Sequence, residues 1–530
     1  MEHFAGLVKA HPEGEAVLAS LGNAERWPVD TPGGRFYAEG DSQAPVTREG
    51  QLIFFFQFLE VGQRWREFMR DCPLRYFGNR GSGAHNVLGT IFLSVLCGHW
   101  RYAHINSVRG DRVNPPLLGM EHTVSEDAVR GALKRMDEEA SLSWIGQQIR
   151  HSIEAALILP WILDIDTTVK PLYGRQQGAE LGYNPHKPGR PSHVYHSYFV
   201  ANLRISLGVD VRPGNEHAAA QGMPGLWRML DQLPRERWPS FVRGDCGYGN
   251  EKVMVEFEMR QLPYLFKLRH TPKVKNLIRA VLSHGKGWKE AGAGWQAAEA
   301  SLLLSGWSRT RRVILVREAP AVAPVGAQAR RRRDPFALPG TQSQDWLQIN
   351  AAPWSGRIAV LVTALDERAY PTESMPRLYR ERADCENGYD ELKNQWGWNG
   401  YTTQKLAPSR IMANLVALFY NWWNLYVRFY DELHHREAIS SRPALMQGVA
   451  RQVHSGGQST VKISLVHEYR DDIATLVSLT SRQLQRFSRI TERWTAREKW
   501  NLLLTRLLRR WLGGKWLPGL PPEAKLLLSG

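Results

Sequence analysis

Four polar side chains in the stretch from residue 379 to residue 393 share one face if that stretch is helical. Tyr379, Arg382, Glu386 and Lys393 are separated by three, four and seven residues. At about 100° per residue they fall within an arc of about 60°. Neighbouring cations keep a carboxylate ionised, and they can also bind phosphate oxygens. The face therefore indicates either a metal-holding, phosphate-binding helix or an ordinary solvated face with i,i+4 ion pairs.

Two upstream segments carry acidic residues in strand-like surroundings. Asp166 ends a predicted apolar strand, residues 157–166, and is followed by Thr167. Asp245 follows a second apolar segment and enters a turn that contains Gly247 and Gly249. Asp164 lies two residues before Asp166, so both side chains point to the same face of a strand. The two segments therefore predict acids at two strands of one sheet, with Asp164 as the alternative first acid.

The order Asp166, Asp245, Glu386 and the spacing Y-(2)-R-(3)-E-(6)-K resemble the bacterial DDE insertion-sequence transposases. These form a cut-and-paste group with an RNase H-like core. In that family the first Asp is followed by Thr or Ser, and the second ends a strand at a Gly-containing turn. Cys246 stands where Ser is more usual. The resemblance implies catalytic and metal-binding roles for the three acids, and binding of DNA phosphates by Tyr379, Arg382 and Lys393.

Metal-assisted cleavage of a phosphodiester explains why such residues are needed. Two divalent ions about 3.5–4 Å apart can activate the attacking oxygen and stabilise the leaving oxygen. Magnesium prefers oxygen ligands, so we expect two Mg²⁺ ions, with Mn²⁺ as a substitute. Asp166 is preferred to Asp164 because of the Thr that follows it. Asp390 shares a face with Glu386, but the Tyr/Arg/Lys spacing selects Glu386.

The order of predicted elements defines the expected fold class. From residue 151 the pattern is strand-strand-strand-helix-strand-helix-strand, which is typical of an RNase H-like sheet. The segment between Asp245 and Glu386 is much longer than the segment between Asp166 and Asp245. A compact core does not need that length, and the resemblance implies a mostly β insertion there. We therefore expect an α/β fold: an RNase H-like mixed sheet with flanking helices, interrupted by the insertion, plus helical N- and C-terminal domains.

The same pattern predicts the domain boundaries. They are a helical N-terminal DNA-binding domain (1–150), the first part of the catalytic core (151–274), a β-rich insertion domain (275–357), the second part of the core (358–430) and a basic helical C-terminal domain (431–530). In the first domain Ser125 is a predicted helix N-cap, and a helix-turn-helix and a plain packing domain both remain open. In the last domain, the segment Arg482–Lys515 interleaves Arg with Leu and Trp. It is interpreted as a dimer contact, a DNA arm or a helix packed on its own core.

The composition and charge of the chain indicate which kinds of partner it can bind. The chain has 530 residues, a formal net charge of +16 and a pI of about 9.7, which suits nucleic acid. Residues 411–430 are apolar but carry a polar stripe, so we expect a buried core helix and no membrane. The N-terminus lacks the plan of a signal peptide. Four cysteines without a C-x-x-C pair argue against zinc ribbons and disulfide frameworks. The expected location is the bacterial cytoplasm, at the nucleoid.

The favoured function is a transposase that binds terminal inverted repeats, excises its element and joins the 3′ ends to target DNA. Its partners are double-stranded DNA, at the ends and at the target, and a second copy in a dimer on DNA. The alternatives are an RNase H-like nuclease without strand transfer and a catalytically inactive DNA-binding derivative. The resemblance also implies a flipped base held by an aromatic side chain. The sequence does not choose among Trp288, Trp295, Trp307, Trp346 and Trp354.

Overall fold

The computed structural model describes residues 26–32, 34–39, 45–76, 83–158, 160–185, 187–318, 347–351, 354–432, 434–521 and 524. The strands are β1 (Arg26–Thr31), β2 (Gly34–Glu39), β3 (Val46–Thr47), β4 (Ile162–Pro171), β5 (Ser192–Val200), β6 (Ile205–Pro213), β7 (Phe241–Gly244), β8 (Tyr264–Lys267), β9 (Lys289–Glu290), β10 (Trp295–Leu302), β11 (Arg311–Glu318), β12 (Leu347–Ala351), β13 (Trp354–Thr363), β14 (Val449–Ser455) and β15 (Gln458–Ser464). The fold is mixed α/β.

Along the chain, helices lie before, between and after the strands. They are α1 (Leu52–Val61), α2 (Arg64–Arg70), α3 (Ala84–Leu96), α4 (Asn114–Leu117), α5 (Glu126–Arg135), α6 (Glu138–Ile153), α7 (Ala219–Leu230), α8 (Glu251–Met259), α9 (Pro272–His284), α10 (Met375–Arg380), α11 (Ala383–Asn394), α12 (Leu406–Arg428), α13 (Ala438–Leu445), α14 (Arg470–Ile490) and α15 (Ala496–Leu507). Ser125 caps α5 by accepting from the amide of Ala128, as its sequence context predicts. No helix in the described part of the chain could span a membrane.

Ten of the described strands form one mixed sheet. Its order is β6-β5-β4-β7-β8-β13-β11-β10-β9, with β12 paired to β13. The neighbours β4, β7 and β8 are parallel, so their carboxyl ends lie at one edge. Asp164 of β4 is in register with Arg243 of β7. Asp166 and Asp245 each lie two positions beyond this pair, so the register directs both predicted acids to the same edge.

Strand β4 lies further along the chain than the apolar pattern predicts. The expected strand was residues 157–166, whereas β4 runs from Ile162 to Pro171. A short 3₁₀ helix, Glu154–Ala156, precedes it and ends at Leu157, so the strand cannot begin there. Pairing with β5 then extends β4 to Pro171, opposite Ser192. Asp166 therefore lies in the middle of the strand rather than at its end.

The described strands between residues 275 and 357 continue the central sheet. Strand β11 pairs with β13, and β13 pairs with the core strand β8 through Leu361 and Lys267. The boundaries given to the insertion and to the other domains remain a prediction. Residues 319–346, which include Trp346 and four consecutive Arg residues at 330–333, lie outside the described residues.

The polar stripe of α12 bonds to the edge strand β6 and to the two residues before it. Its members bond to backbone groups: Asn414 with Val209, Asn421 with Ser206, Asn424 with Arg204 and Arg428 with Leu203. An edge strand otherwise presents unpaired amides and carbonyls. The remaining faces of α12 are buried, which confirms the predicted core helix. The helix therefore fixes β6, and through it the neighbours β5 and β4.

The C-terminal helices belong to the hydrophobic core. Trp500 is buried, packs edge-on against Phe58 and donates its indole N–H to the carbonyl of Ser152 at 3.0 Å. Other apolar residues of the segment Arg482–Lys515 are also buried in this core: Leu502, Leu503, Leu504, Leu507 and Leu508. These side chains are buried within the chain itself, as the alternative of a helix packed on its own core predicts, and the dimer contact remains a prediction.

Removing the buried contact of Trp500 is expected to destabilise the whole chain. Trp500→Ala should lower the free energy of unfolding by about 3–5 kcal/mol, because a large buried side chain is replaced by a cavity. Leu479→Ala is the control, since Leu479 lies on the exposed side of α14 and should change stability little. Thermal unfolding of the two variants measures the difference. Equal unfolding temperatures would show that α15 does not belong to the cooperative core.

Candidate active site

Asp166 is held on β4 with its carboxylate partly exposed. One carboxylate oxygen, Oδ1, accepts the backbone N–H of Thr167 at 2.8 Å. The other, Oδ2, lies 3.0 Å from Nη2 of Arg382. Burial raises the pKa of Asp166 above its usual value, Arg382 opposes the rise, and the negative charge of Glu386 adds to it. Burial and the charge of Glu386 therefore disfavour the anionic form of Asp166, while the guanidinium of Arg382 stabilises it.

Arg382 brings the first and third predicted acids together. Its side chain is 6 % exposed, and its Nη1 donates to Oε1 of Glu386 at 2.6 Å. The same guanidinium contacts Asp166 through Nη2. Asp166 and Glu386 belong to segments far apart in the chain. The fold thus places two distant carboxylates on either side of one buried cation.

The stretch from Tyr379 to Lys393 is not the single continuous helix that the spacing predicts. Helix α10 ends at Arg380 and α11 begins at Ala383. The residues between them keep right-handed helical dihedrals, and the amide of Arg382 bonds to the carbonyl of Tyr379 three residues earlier. This tighter turn separates the two helices. The polar groups still surround the acids, but they do so from two helices.

Asp245 lies just after β7 in a turn that holds its side chain. Its Oδ1 accepts the backbone N–H of Gly247 at 2.9 Å. The buried Tyr248 follows, and its hydroxyl lies 3.0 Å from Oγ1 of Thr167. The pKa of Tyr248 is raised by burial, and the charges of Asp245 and Asp166 add to the rise. Tyr248 therefore links the turn of the second acid to the strand of the first.

The three predicted metal ligands do not form a three-carboxylate group in this conformation. Among the described residues, no three His, Cys, Asp or Glu side chains lie close enough together to hold a metal ion. The guanidinium of Arg382 stands between Asp166 and Glu386. The donor chemistry nevertheless fits magnesium, since all three side chains offer carboxylate oxygens. Their joint role as metal ligands remains a prediction.

Asp164, the alternative first acid, is part of a buried ion pair. It is fully buried, and its two oxygens accept from Nε and Nη2 of Arg243 at 2.6 and 2.7 Å. Arg243 also donates to the carbonyl of Leu378. The pair therefore ties β4 and β7 to α10. Since both oxygens already hold Arg243, the geometry favours Asp166 as the ligand.

The remaining predicted phosphate-binding residues lie around the acids. The hydroxyl of Tyr379 donates to the carbonyl of Gly244, beside Asp245, at 3.4 Å. Burial lowers the pKa of Lys393, while the charges of Asp390 and Asp166 raise it. Lys393 is half-buried on α11, and its ammonium lies within the electrostatic field of Asp166.

Sequence reasoning missed three residues of this region. Tyr248 lies in the turn that identifies the second acid, so the sequence places it near Asp245. Its contact with Thr167 joins distant segments and could not be predicted. Arg243 is a cation inside an apolar strand, and such a residue needs a buried partner. His217 gives no sequence signal. Burial lowers the pKa of His217 and the charge of Asp245 raises it, so His217 lies within the field of the second acid.

Comparison with known proteins identifies the family. Residues 93–483 match the family described as Transposase DDE domain, group 1. The match spans most of the chain, so the chain belongs to the DDE transposases of this group. Membership implies a nuclease or transposase enzyme, and the family normally uses a divalent metal ion. The sequence-based identification as a DDE transposase is therefore confirmed.

One solved structure with a similar chain is described as a cryo-EM structure of the piggyBac transposase synaptic complex with hairpin DNA. The two chains are 12% identical, the similarity covers 94% of this chain and 90% of that chain, and the TM-score is 0.35. None of the curated protein sequences compared is significantly similar to this chain.

Proposed function

We propose that the protein is a cut-and-paste transposase of the bacterial insertion-sequence type with the YREK spacing and an RNase H-like core. It binds the terminal inverted repeats of its element, cleaves the DNA at the ends and joins the 3′ ends to a target. The observation that carries this proposal is the contact of Arg382 with both Asp166 and Glu386. Like charges held close together are costly, and an enzyme that binds cations there has a reason to keep them.

The described contacts suggest how each side chain serves the reaction. Divalent ions held by the three carboxylates would supply the activated oxygen and stabilise the leaving oxygen. The backbone amides of Thr167 and Gly247 orient the carboxylates of Asp166 and Asp245. Arg382 orients Glu386. Fixed donors of this kind reduce the reorganisation that the reaction would otherwise require.

DNA binding rests on charge as well as on the site. The chain carries a formal net charge of +16, which favours a polyanion. Tyr379, Arg382 and Lys393 are proposed to bind phosphates next to the scissile bond. Each protein chain holds one set of the three acids, whereas an element has two ends. Self-association on DNA is therefore part of the proposal, with a pairing surface outside the buried C-terminal core.

The deciding experiment combines cleavage with joining. The purified chain is incubated with Mg²⁺, a supercoiled target plasmid and DNA that carries the element's own terminal repeats. Cuts at the element boundary and covalent joining to the plasmid are expected. The matched control substrate has a scrambled repeat of the same composition and should remain uncut.

The outcomes separate the alternatives. Cleavage without joined products would favour a nuclease, and specific binding without cleavage would favour an inactive derivative. Equal treatment of the true and scrambled repeats would contradict the proposal. The mass of the complex with end DNA, measured by light scattering, should correspond to two chains and two ends. One chain per end without association would contradict the dimer.

A further inference from the structure

The connection between β4 and β5, residues 172–191, is long for two neighbouring antiparallel strands. Such strands are usually joined by about two to five residues, and longer loops in compact domains are commonly functional. We call it the β4–β5 loop. Its only acidic residue is Glu180, against the cations Arg175, Lys187 and Arg190, so its formal charge is 3 − 1 = +2. A basic loop of this length is typical of a segment that binds an acidic partner.

The base of the loop is firmly anchored. The amide of Gln177 bonds to the carbonyl of Gln404 at 2.8 Å, and its carbonyl bonds to the ring of His193 at 2.9 Å. Gly182 lies so close to Gly214 that an added Cβ would be 1.9 Å from the Gly214 carbonyl oxygen. The loop is therefore pressed against the end of β6 and the start of α12. Its outer side chains project from a fixed support.

Those outer side chains are large and exposed. Tyr173 is 69% exposed and Tyr183 is 55% exposed, and Leu181 is exposed between them. Lys187 donates its ammonium N–H to the hydroxyl of Tyr173, and the guanidinium of Arg190 lies over the ring, 4.6 Å from its centroid. We call Tyr173 and Tyr183 the tyrosine platform. Exposed rings beside cations are the arrangement that proteins use to bind single-stranded nucleic acid, by stacking on bases and pairing with phosphates.

The platform is connected to the candidate active site. The ring of Tyr183 packs edge-on against His217, with 4.7 Å between the centroids. At the start of the loop, Tyr173 follows β4, the strand that carries Asp166. Tyr173 is thus next to the strand that bears the first predicted acid.

We propose that the tyrosine platform stacks unpaired bases of the DNA strand that leaves the cleavage site, while Lys187 and Arg190 bind its phosphates. This inference rests on the proposed function and extends it to the DNA outside the element. Duplex DNA hides the faces of its bases, so exposed rings match an unpaired strand. The two cations supply the charge complementarity. The loop leaves directly from β4, the strand that carries Asp166, so the surface begins on an element of the candidate active site.

The test is equilibrium binding of the full-length chain without divalent metal, so that cleavage does not enter. Fluorescence anisotropy is measured with three probes: the terminal repeat with a paired flank, the same repeat with an unpaired flank of about ten nucleotides, and an unpaired oligonucleotide alone. The double variant Tyr173→Leu/Tyr183→Leu should lose about tenfold or more in affinity for the two unpaired probes. Its affinity for the paired probe should stay within about twofold of the wild-type affinity. A tenfold change, by comparison, corresponds to about 1.4 kcal/mol.

Two controls make the result specific. Tyr173→Phe/Tyr183→Phe keeps both rings and should bind as the wild type does. Tyr469→Leu removes an exposed tyrosine elsewhere and should change nothing. In the double variant Lys187→Gln/Arg190→Gln, the slope of log affinity against log salt concentration should become shallower by about 1.4 for the unpaired oligonucleotide. This corresponds to about 0.7 for each lost phosphate contact.

The outcomes distinguish this inference from the proposed function. Unchanged binding of all probes by the leucine variant, or an equal loss on paired and unpaired flanks, overturns the tyrosine platform. If the wild type binds the paired probe no better than the same duplex with a scrambled repeat, the proposed function fails. Loss of unpaired-oligonucleotide binding in the leucine variant would then still support stacking on these rings.

Discussion

Asp166→Asn, Asp245→Asn and Glu386→Gln are each expected to lower the rate of DNA cleavage by at least about a thousandfold. Each change replaces an anionic oxygen donor by a neutral amide of the same shape. Binding of the terminal repeat, measured without divalent metal, should remain close to wild type. Single-turnover cleavage of end DNA gives the rate, and anisotropy gives the affinity. Retained cleavage in any one variant would remove that residue from the proposed metal ligands.

Asp164→Asn is the matched comparison, because the same chemical change two residues earlier should act on stability. It leaves Arg243 buried without its carboxylate, which costs about 3–5 kcal/mol. Asp164→Asn should therefore unfold at a clearly lower temperature than the wild type. If this variant instead keeps the wild-type unfolding temperature and abolishes cleavage, the assignment of Asp166 as first acid is wrong.

The effect of Asp166→Asn on stability should depend on pH. A carboxylate in an ordinary ion pair stabilises the folded chain more as pH rises, whereas Asp166 is expected to stabilise it less. The pKa of Asp166 is raised in the folded chain, chiefly by burial. The wild type therefore loses stability, relative to the variant, as pH rises from the usual pKa of aspartate through the raised value. At neutral pH the variant should unfold at an equal or higher temperature. Below the usual pKa both carry a neutral side chain, and the difference should disappear.

The acids and their strands could be predicted because each lies in a local pattern. Asp166 and Asp245 follow apolar runs, and such runs indicate strands irrespective of what packs on them. The end of β4 was not predictable in the same way. Its extension to Pro171 comes from pairing with β5, and the sequence around residues 167–171 carries no apolar run that signals it.

Contacts between distant segments were the harder part. The apolar residues around Trp500 show that a helix face is buried, but not whether the partner is the same chain or a second copy. The structure shows that the N-terminal helices cover this face. Truncation after residue 480 would consequently remove core residues, so a loss of pairing after such a truncation would not identify a dimer surface.

The position of Arg382 also depends on the tertiary fold. The helical spacing predicts its contact with Glu386 four residues later, and this contact is present. The contact with Asp166 involves strand β4, which lies far earlier in the chain. A local pattern cannot show that the proposed phosphate ligand is also the counter-ion of two proposed metal ligands.

Arg382→Gln is expected to raise the affinity of the DNA-free protein for Mn²⁺ by about tenfold or more, equivalent to about 1.4 kcal/mol. The guanidinium neutralises Asp166 and Glu386 at 3.0 and 2.6 Å, so its loss leaves two carboxylates for a cation. Titration of Mn²⁺ followed by electron paramagnetic resonance measures the affinity without any cleavage. Arg377→Gln is the control, since Arg377 is an exposed cation on α10 that pairs with Glu381. Weaker or unchanged Mn²⁺ binding in Arg382→Gln would contradict the counter-ion role.

The same variant tests what Arg382 does once DNA is bound. If metal ions displace the guanidinium onto a phosphate of the transposon end, Arg382→Gln should reduce the salt slope of end binding by about 0.9, measured with Ca²⁺ present. Cleavage should fall as well, because the phosphate next to the scissile bond loses its partner. An unchanged slope with lost cleavage would mean that Arg382 stays with the acids and positions Glu386. In that case Lys393 and Tyr379 are left as the phosphate ligands, and Lys393→Gln should carry the change in slope.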